Sequence, residues 1–155
     1  MDEIYIKIKG VWYYLYRSVD KDGDTIDFML LKNRDEPAAK AFFTKAIGSS
    51  GLPEKITIDK SGANKAGINA INLQLIILAL LGFVLVQIDI RQIKYLNNII
   101  EQDHRGIKRI TKPMMGFKAF YSAEATLAGI ELYRMLKKAL IFMKKTHMPS
   151  NSFMR

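Results

Sequence analysis

The chain contains no cysteine and only two histidines, His104 and His147. The lack of cysteine excludes disulfides and thiolate metal sites, and it is typical of proteins from a reducing compartment. Two imidazoles are too few for an ordinary histidine zinc site. Any metal is therefore expected on carboxylate oxygens, which suit hard cations such as magnesium or manganese.

Long apolar runs are also scarce. The longest lies within "LQLIILALLGFVLVQI" (Leu73–Ile88), with 12 residues between Gln74 and Gln87, whereas a membrane span needs about 20. Gly82 divides the run into a leucine-rich half and a β-branched half. We interpret it as the end of a buried helix, a turn and a buried strand, and we expect no membrane partner. The charged, alternating N-terminal residues do not resemble a signal peptide.

Acidic residues are scarce in the C-terminal part of the chain. Residues 1–90 contain 11 Lys+Arg and 11 Asp+Glu, whereas residues 91–155 contain 13 and 4, so the whole net charge of +9 lies in the last 65 residues. Such a concentration indicates a polyanionic partner such as DNA or RNA. The alternative is a solvated helical face followed by a basic tail.

At 155 residues the chain is predicted to form one domain, residues 1–145, followed by a basic tail, residues 146–155. Alternating patterns, turn residues and helix caps predict the order β-β-β-α-β-α-β-α-α. The predicted strands are Glu3–Lys9, Trp12–Asp20, Asp24–Leu31, a short strand ending at Asp59, and Phe83–Asp89. The predicted helices run from about Asp35 to Gly48, Asn64 to Leu81, Asn97 to Ile110 and Ser122 to Lys145, with Asn97 or Asn98 capping the third.

Three antiparallel strands followed by α/β alternation favour a mixed five-stranded sheet flanked by helices. This α/β order is that of a ribonuclease H-like fold. In such a fold the fourth strand ends at the carboxyl edge, where α/β sheets tend to place their sites.

Three carboxylates stand at informative positions: Asp2 at the head of the first strand, Asp59 at the end of the fourth, and Glu101 early in the third helix. Carboxylates converging from two strands and a helix would hold two divalent cations for phosphodiester chemistry. Each has a structural alternative. Asp2 could be a surface charge on a frayed end, Asp59 a helix cap or Asx-turn residue, and Glu101 a first-turn residue favoured by the helix dipole.

Arg105 and Lys108 lie four and seven residues after Glu101, so all three share one helical face. That spacing places positive charge beside the predicted metal site. The alternative is a surface ion pair that contributes only about 0.3–0.5 kcal/mol.

The segments "MDEIYIKIKG", "TIDKSGANKAGINAI", "RQIKYLNNIIEQDHRGIKR" and "MGFKAFYSAEATLAGIE" resemble the catalytic part of a DDE transposase. The similarity is to the insertion-sequence-six family of small bacterial elements, which move by forming cointegrates, and it covers nearly the whole chain.

The resemblance implies a D-D-E triad of Asp2, Asp59 and Glu101 that binds two Mg²⁺ ions, with Mn²⁺ as a substitute. It implies a basic residue, Lys108, two helical turns after the glutamate. The implied activity is hydrolytic nicking at the element ends, followed by attack of the freed 3′-hydroxyl on target DNA without a covalent protein–DNA intermediate. We expect DNA contacts from Lys60, Lys65, Arg91, Lys94, Asn98, Arg105, Lys108, Arg109 and Lys112.

The resemblance also implies partners and a location: terminal-repeat and target DNA, a homodimer or higher synaptic multimer, and the bacterial cytoplasm, associated with the nucleoid. Three departures from the family pattern stand out. Ile4 replaces a threonine, and the interval of 42 positions from Asp59 to Glu101 is longer than usual. The N-terminal helix-turn-helix region that recognises the element ends is missing before Met1.

That third departure predicts a truncated chain, in which Asp2 lies on an unanchored strand end that frays and binds magnesium poorly. Two other functions therefore stay open. One is an inactive remnant of a decayed element that binds DNA non-specifically or inhibits intact transposase by pairing with it. The other is a structure-specific nuclease of the same fold.

Overall fold

The computed structural model describes residues 1–83, 85–92 and 98–146, without the side chains of residues 2, 98–101, 103, 145 and 146. The element order is the predicted one. The strands are β1 (Asp2–Ile8), β2 (Val11–Val19), β3 (Thr25–Leu31), β4 (Lys55–Ile58) and β5 (Asp89–Gln92). The helices are α1 (Glu36–Ser50), α2 (Gly62–Leu80), α3 (Asn98–Thr111) and α4 (Phe120–Thr146), with a 3₁₀ turn at Lys112–Met114.

The strands form two ladders. β1, β2 and β3 make an antiparallel meander, and β4 pairs with β5 in parallel. Gly10 and Gly23 have φ of 81° and 80°, values that glycine adopts without the steric cost other residues pay, and they form the two hairpin connections. The predicted mixture of antiparallel and parallel strands is thus present, divided between a three-stranded and a two-stranded sheet.

The N-terminus joins the two ladders. The Met1 ammonium donates a hydrogen bond of 2.8 Å to the Thr57 carbonyl, and the Met1 side chain is buried in the core. The prediction of an unanchored, fraying strand end was therefore wrong, because apolar burial and this hydrogen bond both hold Met1. Among the described residues no hydrogen-bonded ladder pairs β1 with β4. The hydrogen bond from Met1 to Thr57 is therefore one of the contacts that join the two sheets.

Two apolar cores result from the alternation of side chains along the strands. One contains Tyr16, Phe42 and Ile68, where α1 and α2 pack. The other contains Ile4, Ile6 and Ile8 of β1 together with residues of α3 and α4, including Ile107 and Leu127. The three-stranded sheet is therefore covered by helices on both faces.

Helix α1 shows why its ends lie where they do. The Asp35 side chain caps it by accepting a hydrogen bond of 2.9 Å from the Ala38 amide, and Pro37 stands in the first turn, as predicted. The predicted end at Gly48 was wrong. The helix continues to Ser50, and Gly51 caps it at φ 85°, a conformation that glycine adopts more readily than other residues.

The apolar segment Leu73–Ile88 departs most from its prediction. Helix α2 ends at Leu80 and a turn follows at Gly82, as predicted, but most large side chains here are exposed, including Leu73, Leu80 and Phe83. The predicted strand Phe83–Asp89 was also wrong, since β5 begins at Asp89. By length and composition α2 is apolar enough to cross a membrane, and it is the one such helix in the described part of the chain.

A buried ion pair fastens β2 to α4. Arg17 donates to Glu131 through Nε at 2.6 Å and through Nη2 at 3.1 Å, and both side chains are about 1% exposed. Thr25 of β3 completes the group, because its hydroxyl lies 3.0 Å from Glu131 and 2.6 Å from Arg17. The predicted tail, residues 146–155, lies outside the described residues apart from Thr146, the last residue of α4.

Candidate active site at the junction of the two sheets

Asp59 directly follows β4 and is held by the start of α2. Its Oδ1 accepts a hydrogen bond of 3.1 Å from the Ser61 amide, which closes an Asx turn, and another of 3.2 Å from the Asn64 side chain. Asp59 therefore does form an Asx turn, which was one of its structural alternatives. The carboxylate is still 28% exposed, so this local role leaves it accessible to a ligand.

Glu3 is the buried member of this site. It lies on the face of β1 that carries the exposed Tyr5 and Lys7, opposite Ile4, Ile6 and Ile8, yet it is only 6% exposed. Its Oε1 accepts a hydrogen bond of 2.7 Å from Asn64, and its Oε2 lies 3.1 Å from the Arg34 guanidinium. A buried carboxylate is stable only when paired in this way.

Arg34 links the two carboxylates. Its Nη2 lies 3.1 Å from Glu3 and 3.5 Å from Asp59, and its Nη1 donates to the Tyr5 hydroxyl at 3.1 Å. Burial acts to lower the pKa of the Arg34 guanidinium, but the Glu3 carboxylate, the Tyr5 phenol and the Asp59 carboxylate together outweigh it and raise the pKa. Arg34 is thus firmly cationic, and its closer partner is Glu3.

Of the other two predicted ligands, the backbone places Asp2 near this junction and Glu101 in helix α3. Asp2 begins β1 opposite Arg17, one residue after Met1, whose ammonium binds Thr57, two residues before Asp59. Glu101 lies in the first turn of α3, the helix that packs on β1 through Ile107. The side chains of Asp2 and Glu101 lie outside the described residues.

The donor chemistry around Asp59 fits a hard divalent cation. Asp59 offers a partly exposed carboxylate, and the buried Oδ1 of Asn64 lacks a hydrogen-bond partner among the described atoms. Carboxylate and amide oxygens are the ligands that such cations prefer. The described side chains contain no group of three or more acidic or histidine residues arranged to hold a metal.

A basic groove runs along α3 and the following 3₁₀ turn, and it contains no carboxylate. It is lined by Arg105, Lys108, Arg109, Lys112, Pro113 and Met115. All four cationic side chains are exposed, and none has a carboxylate within ion-pair distance among the described side chains. Unpaired cations along one groove can bind successive phosphates of a nucleic acid.

The other predicted DNA contacts are scattered. Lys60 and Lys65 are exposed on either side of the α2 N-terminus, next to Asp59. Arg91 in β5 lies 3.4 Å from Asp89, so a carboxylate already partly neutralises it. Lys94 and the side chain of Asn98 lie outside the described residues.

Glu3, Arg34 and Asn64 were not identified from the sequence. The sequence carries no signal for Glu3, because the alternation of Ile4, Ile6 and Ile8 places it on the polar face of β1. Asn64 carries a weak signal. It stands in the first turns of a helix, where asparagine is unfavourable unless its side chain forms a specific hydrogen bond. Arg34 precedes a helix cap and carries no comparable signal.

Comparison with known proteins gives relatives along most of the chain. The family model described as a DDE domain, of the IS240 transposase type, matches residues 1–140. The transposase for insertion sequence-like element IS431mec of Staphylococcus aureus (strain Mu50) is 40% identical over 140 residues. The transposase for insertion sequence element IS257 in transposon Tn4003, also from Staphylococcus aureus, is equally similar. Both alignments cover 89% of this chain and 57% of the relative, so the chain spans little more than half their length.

The fold has a solved counterpart in a retroviral complex. A chain of the simian T-cell lymphotropic virus intasome, determined with the PP2A regulatory subunit B56 gamma, superposes with a TM-score of 0.51. The match covers 70% of this chain and 37% of that one, at 18% sequence identity. At this identity the likeness concerns the fold alone, and it confirms the ribonuclease H-like class predicted from the element order.

Proposed function

Because the chain belongs to the DDE transposases of the insertion-sequence-six family, we propose that it is a catalytic domain that cleaves element-end DNA and transfers the strand. The reaction is metal-dependent cleavage of a phosphodiester at each end, followed by attack of the freed 3′-hydroxyl on target DNA in cointegrate-type transposition. The observation that carries the proposal is the DDE-domain match over residues 1–140.

We assign Asp2, Asp59 and Glu101 as the ligands of two Mg²⁺ ions, which Mn²⁺ can replace. When bound, the ions supply Lewis-acid stabilisation of the attacking and leaving oxygens. The chain's own neighbouring residues position the ligands. Hydrogen bonds from Asn64 and within the Asx turn fix one oxygen of Asp59. Arg34 forms an ion pair with the buried Glu3 carboxylate next to Asp59.

Lys108 acts beside this site as the residue that binds a DNA phosphate, and Arg105, Arg109 and Lys112 extend that contact along the groove. Lys60 and Lys65 flank Asp59 on the other side, and Arg91, Lys94 and Asn98 complete the proposed DNA surface. The DNA partners are the element's terminal repeats and the target duplex.

We further propose that residues 1–145 form the catalytic domain and residues 146–155 a basic tail, and that the protein acts as a homodimer or higher synaptic multimer. Its place is the bacterial cytoplasm, in association with the nucleoid. These proposals follow from the family and from the excess of 13 basic over 4 acidic residues in residues 91–155.

The catalytic proposal is tested by incubating the purified chain with terminal-repeat DNA and Mg²⁺ or Mn²⁺ and measuring nicked product. Glu101→Gln and Asp59→Asn are expected to abolish the product, whereas Asp22→Asn in an exposed hairpin is a matched control and is expected to retain it. Equal product from Glu101→Gln and the parent chain would remove Glu101 from the site. DNA binding without any nicking would favour the alternative, a remnant that only binds DNA.

The groove is tested by the salt dependence of binding to random duplex DNA. Each phosphate contact contributes about 0.9 to the slope of log K against log salt. Arg105→Ala/Lys108→Ala is therefore expected to reduce the slope by about 2. Lys21→Ala/Lys32→Ala, which removes two exposed lysines from residues 1–90, the part of the chain without net charge, is expected to leave the slope unchanged. An unchanged slope in the first variant would place the DNA elsewhere.

A further inference from the structure

Helix α4 has apolar side chains on two opposite faces. Its inner face, with Ala123, Leu127 and Ile130, is buried against the sheet. At about 100° per residue, the opposite face is also apolar. We call this face the outer stripe, and it consists of Tyr121, Ala125, Gly129, Leu132, Leu136, Ala139 and Leu140.

The outer stripe is exposed along its whole length. Leu132, Leu136 and Leu140 are 59%, 56% and 65% exposed, and Tyr121 is 81% exposed. A Cβ added to Gly129 would meet no atom within 4 Å. Soluble proteins seldom leave a continuous apolar surface of this kind uncovered without using it for an interaction.

The spacing within the stripe indicates what covers it. Ala125, Gly129, Leu132, Leu136 and Ala139 follow one another at alternating steps of four and three residues. This is the repeat with which one helix packs lengthwise against another. A helix of a second copy of this chain carries the same repeat and can therefore be the partner.

We propose that the outer stripe pairs with the outer stripe of a second copy in an antiparallel arrangement. The pair is centred near Leu132, so that Ala125 of one copy lies opposite Ala139 of the other.

Charge favours this direction. The first part of α4, residues 120–131, contains no basic residue, and its exposed carboxylate is Glu124, since Glu131 is buried against Arg17. Residues 132–146 contain five basic residues and no acidic one, and one of the five, Lys138, already lies 3.5 Å from Asp24. A parallel pair would bring the two basic halves together, whereas an antiparallel pair places each beside the half of its partner that lacks cations, with the two helix dipoles opposed.

The area is sufficient for a specific dimer. The stripe and its flanking side chains Tyr133 and Met135 offer six large apolar residues that are between 46% and 81% exposed. If each loses about 100 Å² to a partner, the pair buries about 1,200 Å² in total, the lower limit for a stable interface. This surface deepens the multimeric assembly proposed above and rests on it, but its test uses neither DNA nor metal, so it succeeds or fails independently of catalysis.

The test is the mass of the full chain in solution, measured by sedimentation or light scattering between about 1 and 100 μM. The parent chain is expected to reach twice the mass of one 17.7 kDa chain. Leu132→Glu/Leu136→Glu is expected to remain at the mass of one chain with unchanged circular dichroism, because both side chains are exposed. Leu73→Glu/Ile77→Glu, on the exposed apolar side of α2, is the matched control and is expected to dimerise.

The antiparallel direction of the helix pair is tested by disulfide cross-linking. Introduced cysteines can be used for this because the chain has no cysteine of its own. Under oxidation, a mixture of Ala125→Cys and Ala139→Cys is expected to give mixed disulfide dimers, and each variant alone is expected to give few. A parent chain that stays monomeric would overturn the proposal, as would a dimer that survives the Leu132→Glu/Leu136→Glu change. Predominant self-linking of Ala125→Cys would overturn the antiparallel direction. Flotation of a monomeric parent chain with anionic vesicles would assign the stripe to a lipid surface instead.

Discussion

Replacing Glu131 with alanine is expected to lower the free energy of unfolding by about 3–5 kcal/mol. Glu131 accepts two hydrogen bonds from Arg17, at 2.6 and 3.1 Å, with about 1% of either side chain exposed. Its removal leaves the guanidinium in a low-dielectric core without the carboxylate opposite it. For a chain of this length the loss corresponds to a fall of about 6–20 °C in Tm.

The same reasoning predicts that removing both partners costs less than removing one. Arg17→Met/Glu131→Leu replaces both members of the ion pair with apolar side chains of similar volume. Buried ion pairs replaced in this way are often as stable as the original. We therefore expect the double variant to lie within about 1.5 kcal/mol of the parent chain, with the Thr25 hydroxyl losing its hydrogen-bond partners.

The measurement is denaturant-induced unfolding followed by circular dichroism, with the slope m compared between variants. Asp24→Asn is the control, because Asp24 forms a 3.5 Å ion pair with Lys138 of the same helix α4 but is 63% exposed. That change is expected to cost less than about 1 kcal/mol. The reasoning is refuted if Glu131→Ala costs no more than Asp24→Asn, or if the double variant is less stable than Glu131→Ala.

Two further predictions concern single side chains. Gly67→Ala is expected to destabilise by about 1–3 kcal/mol, because its Cβ would lie 2.9 Å from both the Ala39 Cβ and the Lys40 amide. Gly48→Ala, with nothing within 4 Å, is expected to stabilise by about 0.5–1 kcal/mol, and thermal unfolding that gives both changes the same sign would contradict this packing argument. Burial raises the pKa of the Tyr16 phenol above its ordinary value. Its contribution to stability is therefore present below pH about 10 and is lost as pH rises through the folded-state pKa. Tyr16→Phe, which removes a hydroxyl without a hydrogen-bond partner among the described atoms, is expected to unfold less readily than the parent above pH 10 in a pH series, and equal alkaline losses would contradict it.

The element order was predictable because it depends on local periodicity. Ile4, Ile6 and Ile8 alternate along β1, and all three are buried. The turns at Gly10 and Gly23 were predictable for a similarly local reason, since positive φ favours glycine. Patterns of this kind require no knowledge of which elements later pack together.

The strand after α2 could not be placed from its pattern. The β-branched run before Asp89 favoured a strand over Phe83–Asp89, yet pairing with β4 begins only at Asp89. The side chain of Asn72 explains the difference at Ile88. It accepts a hydrogen bond of 2.9 Å from the Ile88 amide and donates one of 3.0 Å to the Ile88 carbonyl. A side chain thereby satisfies the backbone groups that a neighbouring strand would otherwise bind.

The candidate site was predictable only in part, for a related reason. Asp59 stands out because it follows a short buried strand, and the structure places it beside the start of β1. Its neighbours Glu3 and Arg34 come from segments that are distant in sequence, whereas Asn64 follows it by five residues. Contacts of this range leave no periodic trace in a single chain.

The polar network at Asp59 also has a mechanical role. Among the described residues no ladder joins β1 to β4, so the two sheets meet through the Met1 ammonium and through the Glu3–Asn64–Asp59 hydrogen bonds. Arg34 lies closer to Glu3 than to Asp59, at 3.1 against 3.5 Å, so its charge chiefly compensates the buried carboxylate. Asp59 thereby has one oxygen fixed in position while its carboxylate stays partly exposed. The residues that hold the fold together at this junction are therefore also those that position the carboxylate proposed here as a metal ligand.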